Sequence, residues 1–483
     1  MLNPNWLGRL AAYHPDRPAL WFRNTWLTYG ELYLRARKAA GALRALGVAK
    51  GDRVGLIAWN HPAYLDLLFA GPLLGHILTP FNHRLSLPEL QALHAYTEPK
   101  VLFYGEGFQE VARALDPKAL PLEALLEGEE APEEVRVDLE DPALLLFTGG
   151  TTGLPKGALL PYRQLLVNAV QTAFSWGLSR EDRYILATPM FHAALNALAT
   201  PLLYLGSQVV VEERFHAEEY LELVRLHRPT LLFLVPTMYQ MLLEAQAFAE
   251  TDLSSVRFAI SGGAPCPAPV REAFRERGVR FKQGYGLTEC GVNCFTFELE
   301  EAERYPESVG RPMPHLWARL VREDGELWLS GSVVMKGYFR RPEENEKVFV
   351  WDGERLWLRT GDLAHRDEGG RFYIVGRRKE MFISGGENVY PVEVERALYD
   401  HPAVKEAAVV GVPDPRWGEV GAAFVVLREP LAAEALRAFL KARLAGYKVP
   451  KHLIFLEELP KTGPGKVQKE ALKRLWEEQH GQA

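Results

Sequence analysis

The feature that most constrains the fold of this chain is a repeated handover from short apolar extended runs to helical patterns, closed by glycine or proline. In the first hundred residues a helical pattern covers 30 to 46, an apolar extended run covers 53 to 58, and a second helical pattern follows Pro62. Alternation of this kind builds a parallel sheet whose two faces are covered by helices. Ser86 and Glu89 have the spacing of a capping box, with Pro88 tolerated in the first turn of the helix they open; an extended run at 101 to 104 follows. Residues 105 to 140 are acidic, with a Glu-rich run at 127 to 134, and predict a solvated helix or linker without chemistry of its own. Apolar strands resume at 143 to 147, 231 to 235 and 258 to 260. From about residue 376 the pattern shifts to short strands and helices, including 407 to 412, 422 to 427 and 432 to 443, which predicts a separate α+β domain.

A length of 483 residues calls for more than one domain. The formal charge of -6 is interspersed over most of the chain and gives no electrostatic footprint for nucleic acid or an anionic membrane, so a small-molecule partner is expected. The first residues hold no uninterrupted apolar core of a signal peptide, and no stretch reaches the roughly 18 apolar residues of a membrane span, which reads as cytoplasmic. Three cysteines, Cys266, Cys290 and Cys294, suit a reducing compartment and read as buried small hydrophobes rather than a metal site.

The strand at 143 to 147 runs directly into Thr148-Gly149-Gly150-Thr151-Thr152-Gly153-Leu154-Pro155-Lys156-Gly157. α/β sheets present ligands at such strand ends. Glycines let backbone amides wrap phosphate oxygens, threonine hydroxyls add neutral donors, and Lys156 offsets negative charge. The spacing is not that of a Walker loop, here or at Gly465-Lys466-Val467.

This loop resembles the nucleotide loop of the adenylate-forming superfamily, which includes acyl-CoA synthetases, firefly luciferases and peptide-synthetase adenylation domains. Further segments resemble the family's later motifs in the same order: Thr188-Pro189-Met190-Phe191-His192, Gly284-Tyr285-Gly286-Leu287-Thr288-Glu289, Thr360-Gly361-Asp362, Gly376-Arg377-Arg378-Lys379-Glu380, Gly385-Gly386-Glu387-Asn388-Val389 and Pro460-Lys461-Thr462-Gly463-Pro464-Gly465-Lys466. The resemblance implies a large, multi-subdomain α/β N-terminal domain over 1–378 and a small, mobile α+β C-terminal domain over 379–483. It also implies ATP, magnesium and coenzyme A as the reaction partners of a carboxylic acid, and a homodimer is a fair expectation.

Several residues acquire expected roles through this resemblance. Glu289 supplies a hard oxygen for magnesium together with a hydroxyl, Thr148 being the choice over Thr152. Gln283, Gly284, Tyr285 and Thr288 contact the adenylate, with Tyr285 stacked on the base, and Gly262 and Gly263 admit the adenine. Asp362 accepts hydrogen bonds from ribose hydroxyls, with Arg377 adding a ribose or phosphate contact; as a lone residue after Thr-Gly, Asp362 reads as a turn former. Lys466 would by itself be a solvated lysine, and the resemblance makes it catalytic. A carboxylate of pKa about 4 is already ionised and needs no general base, so the requirement is positive charge where the carboxylate meets the α-phosphate. Loss of one such donor typically costs on the order of 3 kcal/mol.

His192 lines the acyl pocket in this reading. Peptide-synthetase relatives place an aspartate there to pair the substrate's ammonium group; without it an amino acid would bring in an unpaired charge, so an acyl or aryl acid is expected. Leu195, Leu198 and Leu202 add apolar surface or belong to the core. Lys379 matches the family's hinge, and Gly385 and Gly386 its pantetheine channel. Three departures stand out: Gly149 where serine is frequent, a short turn at 323 to 328, and Lys469 where arginine often follows the catalytic lysine. The expected substrate is a medium- or long-chain fatty acid, with an aryl acid of the coumarate or benzoate kind as the alternative, or transfer of the acyl group to a carrier protein.

Overall fold

A computed structural model describes residues 2–131, 135–148, 155–321, 325–461 and 466–480. Two seven-stranded sheets carry the first part of the chain. One runs Phe281–Gln283, Phe258–Ser261, Leu231–Leu234, Arg183–Leu186, Gln208–Val211, Pro18–Phe22 and Thr25–Thr28, parallel except for the last strand. The other runs Gly337–Tyr338, Lys156–Pro161, Pro142–Thr148, Ile77–Pro80, Arg53–Ile57, Val101–Tyr104 and Leu120–Pro121, parallel after the first three. The expected alternation is thus realised twice, and the helix Tyr29–Ala45 carries the complete capping box of Thr28 and Glu31. The helix Ala63–Leu74 has every residue buried, as its all-round apolar sequence requires between sheet and neighbouring helix. At the next helix the Glu89 carboxylate accepts hydrogen bonds from the Ser86 N–H and Oγ at 2.8 and 2.6 Å.

An antiparallel five-stranded sheet follows, built from Leu316–Val321, Glu326–Gly331, Leu356–Arg366, Phe349–Trp351 and Phe372–Arg377. The last part of the chain forms its own mixed sheet of Glu387–Val389, Phe382–Ser384, Gly418–Leu427, Val404–Asp414 and His452–Phe455. Apolar clusters cover it: one includes Val394, Leu398, Leu436 and Leu440, another Phe424, Leu459 and Leu472. This is a large α/β region followed by a smaller α+β one. No helix among the described residues is long and apolar enough to cross a membrane.

Of the expected solvated helix or linker over 105 to 140, the helix is present and the linker is corrected. That stretch holds the helix Gln109–Leu115, a strand at Leu120–Pro121 paired with Val101–Tyr104, and a single turn of helix that buries Leu122 and Leu125. Its charges occupy the outward positions of elements too short to show a period, so composition concealed the buried leucines. Cys266, Cys290 and Cys294 are free and buried.

Candidate active site

Strand pairing fixes the centre of the site. Asp362 and Arg377 stand opposite one another on adjacent antiparallel strands, and Arg377 Nε lies 3.0 Å from Asp362 Oδ1. The other carboxylate oxygen accepts the Tyr285 hydroxyl at 2.6 Å. Asp362 is buried, and its own N–H donates to Thr360 Oγ1, whose hydroxyl donates to the Leu327 carbonyl. The neighbouring carboxylate holds the Arg377 guanidinium above its ordinary range against the effect of burial. Burial, then Asp362, pushes the Tyr285 phenol well up, so it remains a hydrogen-bond donor. Each Asp362 oxygen still has a lone pair for a further hydroxyl.

Glu289 sits in a short turn of helix at Thr288–Cys290, with its Oε1 accepting the Tyr338 hydroxyl at 2.9 Å. Its Oε2 takes no hydrogen bond from the described residues. Magnesium typically keeps water and phosphate oxygens and needs one or two protein carboxylates, so one free oxygen at this position fits the ion. Among the described residues no group of three acidic, histidine or cysteine side chains forms a protein cage. Thr148 ends its strand opposite Lys156 and donates to the Lys156 carbonyl at 3.4 Å. Gly149, Gly150, Thr151, Thr152 and Gly153 lie outside the described residues.

Lys156 is already engaged. It pairs with Glu344, holding that carboxyl down to about 2, and its ammonium lies 5.2 Å from the centre of the Tyr338 ring. Gln283 braces the turn after Ser261, accepting the Cys266 N–H at 2.9 Å and donating to the Ala264 carbonyl at 3.3 Å. Gly263 in that turn has φ +83°, a left-handed conformation that favours glycine. A Cβ on Gly263 would stand 3.8 Å from Cε of Lys466, which brings this lysine to the strand ends from the far end of the chain. Lys466 keeps an exposed flank, yet the protein around its ammonium and the nearby Arg377 lower it below the ordinary lysine range, while Asp362, Glu289 and Glu380 act in the opposite direction. Five of the expected residues, Lys466, Asp362, Glu289, Arg377 and Tyr285, therefore form one electrostatic cluster.

His192 precedes the turn Ala193–Asn196, and its Nε2 is buried without a hydrogen-bond partner. Burial first, then Arg84, Lys466 and His83, lower its pKa to about 3, so it is neutral. Aromatic rings continue from it: His192 to Phe191 at 4.4 Å between centres, Phe191 to His83 at 4.9 Å, and His83 to Trp59 at 4.3 Å. Lys379 is exposed, yet the protein around its ammonium and Arg377 lower it below the ordinary lysine range. Gly385 and Gly386 form the two-residue turn between Phe382–Ser384 and Glu387–Val389, with φ of +61° and +88°. A Cβ on Gly385 would fall 2.8 Å from the Trp417 ring, so both the turn and this packing demand glycine.

Sequence reasoning missed Tyr338 and Asn60. Asn60 is buried and donates to the Thr188 and Glu212 carbonyls at 3.1 and 3.0 Å, while its Oδ1 accepts the Met190 N–H at 2.8 Å. It thereby holds the segment that ends in His192. No local signal marks either residue.

The chain matches the AMP-binding enzyme family over residues 7–339 and the AMP-binding enzyme C-terminal domain over 393–466. It belongs to this family. A feruloyl-CoA synthase from Amycolatopsis sp. is 40% identical over 97% of this chain and 98% of its own length. An indoleacetate–CoA ligase from Aromatoleum aromaticum is 37% identical, covering 97% of each. Among solved structures, the Bacillus subtilis o-succinylbenzoate CoA synthetase bound to its acyl-adenylate superposes with a TM-score of 0.89, at 33% identity and 98% coverage of both chains. The chain is thus an AMP-forming acid–thiol ligase that uses ATP, magnesium and coenzyme A.

Proposed function

We propose that this enzyme converts an aryl carboxylic acid to its CoA thioester in two steps, acid plus ATP to acyl-adenylate and pyrophosphate, then acyl-adenylate plus coenzyme A to thioester and AMP. The carrying observation is the end-to-end similarity to the feruloyl-CoA synthase. The aryl alternative is better supported than the medium- or long-chain fatty acid. Leu195, Leu198 and Leu202, which would have lined an alkyl channel, are 2%, 0% and 0% exposed and packed into the main core. The ring series from Trp59 to His192 supplies the flat, edge-and-face surface that an arene prefers.

In this reading Lys466 bridges the acid carboxylate and the α-phosphate, stabilising charge as it moves to pyrophosphate. Glu289 and the hydroxyl of Thr148 or Thr152 would hold magnesium, which would supply positive charge beside the phosphates. Asp362 and Arg377 hold the ribose, and Tyr285, Gln283, Gly284, Thr288 and Gly263 surround the base. The loop at 148–153 wraps the phosphates, and Lys156 joins them on exchanging Glu344 for phosphate. Neutral His192 borders the acyl group without bringing in charge. The domain boundary lies at 378/379, and rotation about Lys379 withdraws Lys466 and presents Gly385 and Gly386 to the pantetheine.

Acid-dependent pyrophosphate exchange tests this reading over ferulic, indoleacetic and benzoic acids against octanoic and palmitic acids, with and without coenzyme A. Exchange and thioester formation with the aromatic acids, at kcat/KM at least tenfold above the fatty acids, is expected. A preference for the fatty acids reverses the assignment, and exchange without thioester formation would point to carrier loading.

A further inference from the structure

Lys466 is flanked on both sides along the chain by partly buried ion pairs. On the incoming side Lys461 Nζ lies 2.7 Å from Glu406, and Lys461 pairs with Val467 in an isolated antiparallel bridge. Gln468 closes the same stem, its N–H donating to the Pro460 carbonyl at 2.8 Å and its Nε2 to the Lys461 carbonyl at 2.9 Å. On the outgoing side Lys469 opens the helix Lys469–His480 and places its ammonium 2.9 Å from both Glu380 and Glu395. The three side chains are 19%, 28% and 16% exposed.

The partners of Lys469 explain its reach. Glu380 follows Lys379, and its N–H donates to the carbonyl of Arg377, the residue that grips Asp362. Glu395 lies in the helix Pro391–Tyr399 and also accepts the Val409 N–H at 2.9 Å, which ties it to the strand Val404–Asp414 of the C-terminal sheet. Burial alone would lower the Lys469 ammonium, but the two carboxylates outweigh it and hold it above the ordinary range. Contacts thus run from Asp362 through Arg377 and Glu380 to Lys469, which follows Lys466 by three residues along the chain.

We infer that Lys469 is a positioning residue for adenylation, fixing the Lys466 loop against the segment that leaves the Asp362–Arg377 pair. This rests on the proposed role of Lys466. Helix attachment does not depend on Lys469, because Leu472 is fully buried and Val467, Leu475 and Trp476 pack on the same apolar cluster. Loss of the ion pairs therefore frees the register of the loop while leaving the domain folded. A displacement of about 1 Å at a reacting group is enough for a loss on the order of 100-fold.

The experiment measures the two half-reactions separately, as ATP–pyrophosphate exchange with ferulic acid and as thioester formation from supplied feruloyl-adenylate and coenzyme A. Lys469→Met is expected to lower exchange at least tenfold and thioester formation less than threefold, with Lys469→Arg recovering exchange to within threefold. Because Lys469→Met leaves two facing carboxylates, the charge-free combination with Glu380→Gln and Glu395→Gln is measured beside it, and the same split is expected. Exchange within threefold of the parent in both variants, or equal losses in the two half-reactions, overturns the inference. Lys466→Ala is the control: if it retains exchange, the adenylation role of Lys466 itself fails.

Discussion

The Asp362–Arg377 cluster and the attachment of Lys466 are built by different means. Asp362 and Arg377 are held by sheet register, by the Asp362 N–H donating to Thr360 and by the Tyr285 hydroxyl donating to Asp362, all within the N-terminal region. Lys466 arrives from the C-terminal region, whose contacts with the larger region include salt bridges that retain solvent exposure. Glu244 meets Lys405 at 3.1 Å and Arg428 at 4.0 Å, and Glu307 meets Arg396 at 3.4 Å. Sheet register does not open without unfolding, whereas exposed ion pairs are each worth only about 0.2–1 kcal/mol and release readily. In the proposed reading, the group used in both half-reactions is built into a sheet, while the group used in one is delivered across a separable polar contact.

Acid provides the largest test of this contrast. In the N-terminal region burial lowers His61, His76 and His83 to about 4 and His192 to about 3. Each is neutral in the fold and takes up a proton on unfolding below pH 6.5, so its stabilisation is complete above that pH and is lost as pH falls towards 4. Glu212, raised to about 8 by burial, and Asp66, also raised by burial, act oppositely, while burial lowers His94 and His227 as well and leaves the histidines in excess. Among the described histidines of the C-terminal domain, His452 alone is lowered, and it is partly exposed. Between pH 6.5 and 5 the N-terminal region should lose on the order of 4 kcal/mol, read by urea unfolding and by hydrogen exchange resolved by domain. Equal loss of protection in both regions would break the contrast.

Asp362→Asn comes next. It keeps an acceptor for Tyr285 but removes the counter-charge of Arg377, which should cost about 2 kcal/mol, roughly 30-fold, in exchange and in thioester formation alike. An effect confined to one half-reaction would place Asp362 with Lys466 instead. The smallest effect is expected from Glu244→Gln, which loosens two exposed pairs by about 0.5 kcal/mol each. It should raise thioester formation relative to exchange about twofold to fivefold, and added salt should produce the same shift in the parent enzyme.

The alternation of strand and helix was readable wherever an element was long enough to show its period, as at Tyr29–Ala45, Arg53–Ile57 and Pro142–Thr148. It was unreadable in 105 to 140, where single turns bury isolated leucines. The site motifs were readable because glycine, threonine and charged residues cluster at strand ends. The partners of those residues were not: Lys156 and Glu344 are 188 residues apart, Glu289 and Tyr338 are 49 apart, and Asn60 and Thr188 are 128 apart.

The sequence by itself determined the α/β class, the order of the motifs and the acid–thiol ligase family, because each is carried by local pattern or by motif succession. Tertiary structure alone decided that Lys156 is held by Glu344, that Asn60 sets the loop before His192, and that Lys469 meets Glu380 in the segment that follows Arg377. Periodicity and turn chemistry report only on neighbours along the chain, whereas a buried charge or amide takes its partner from whatever the fold brings within about 3 Å.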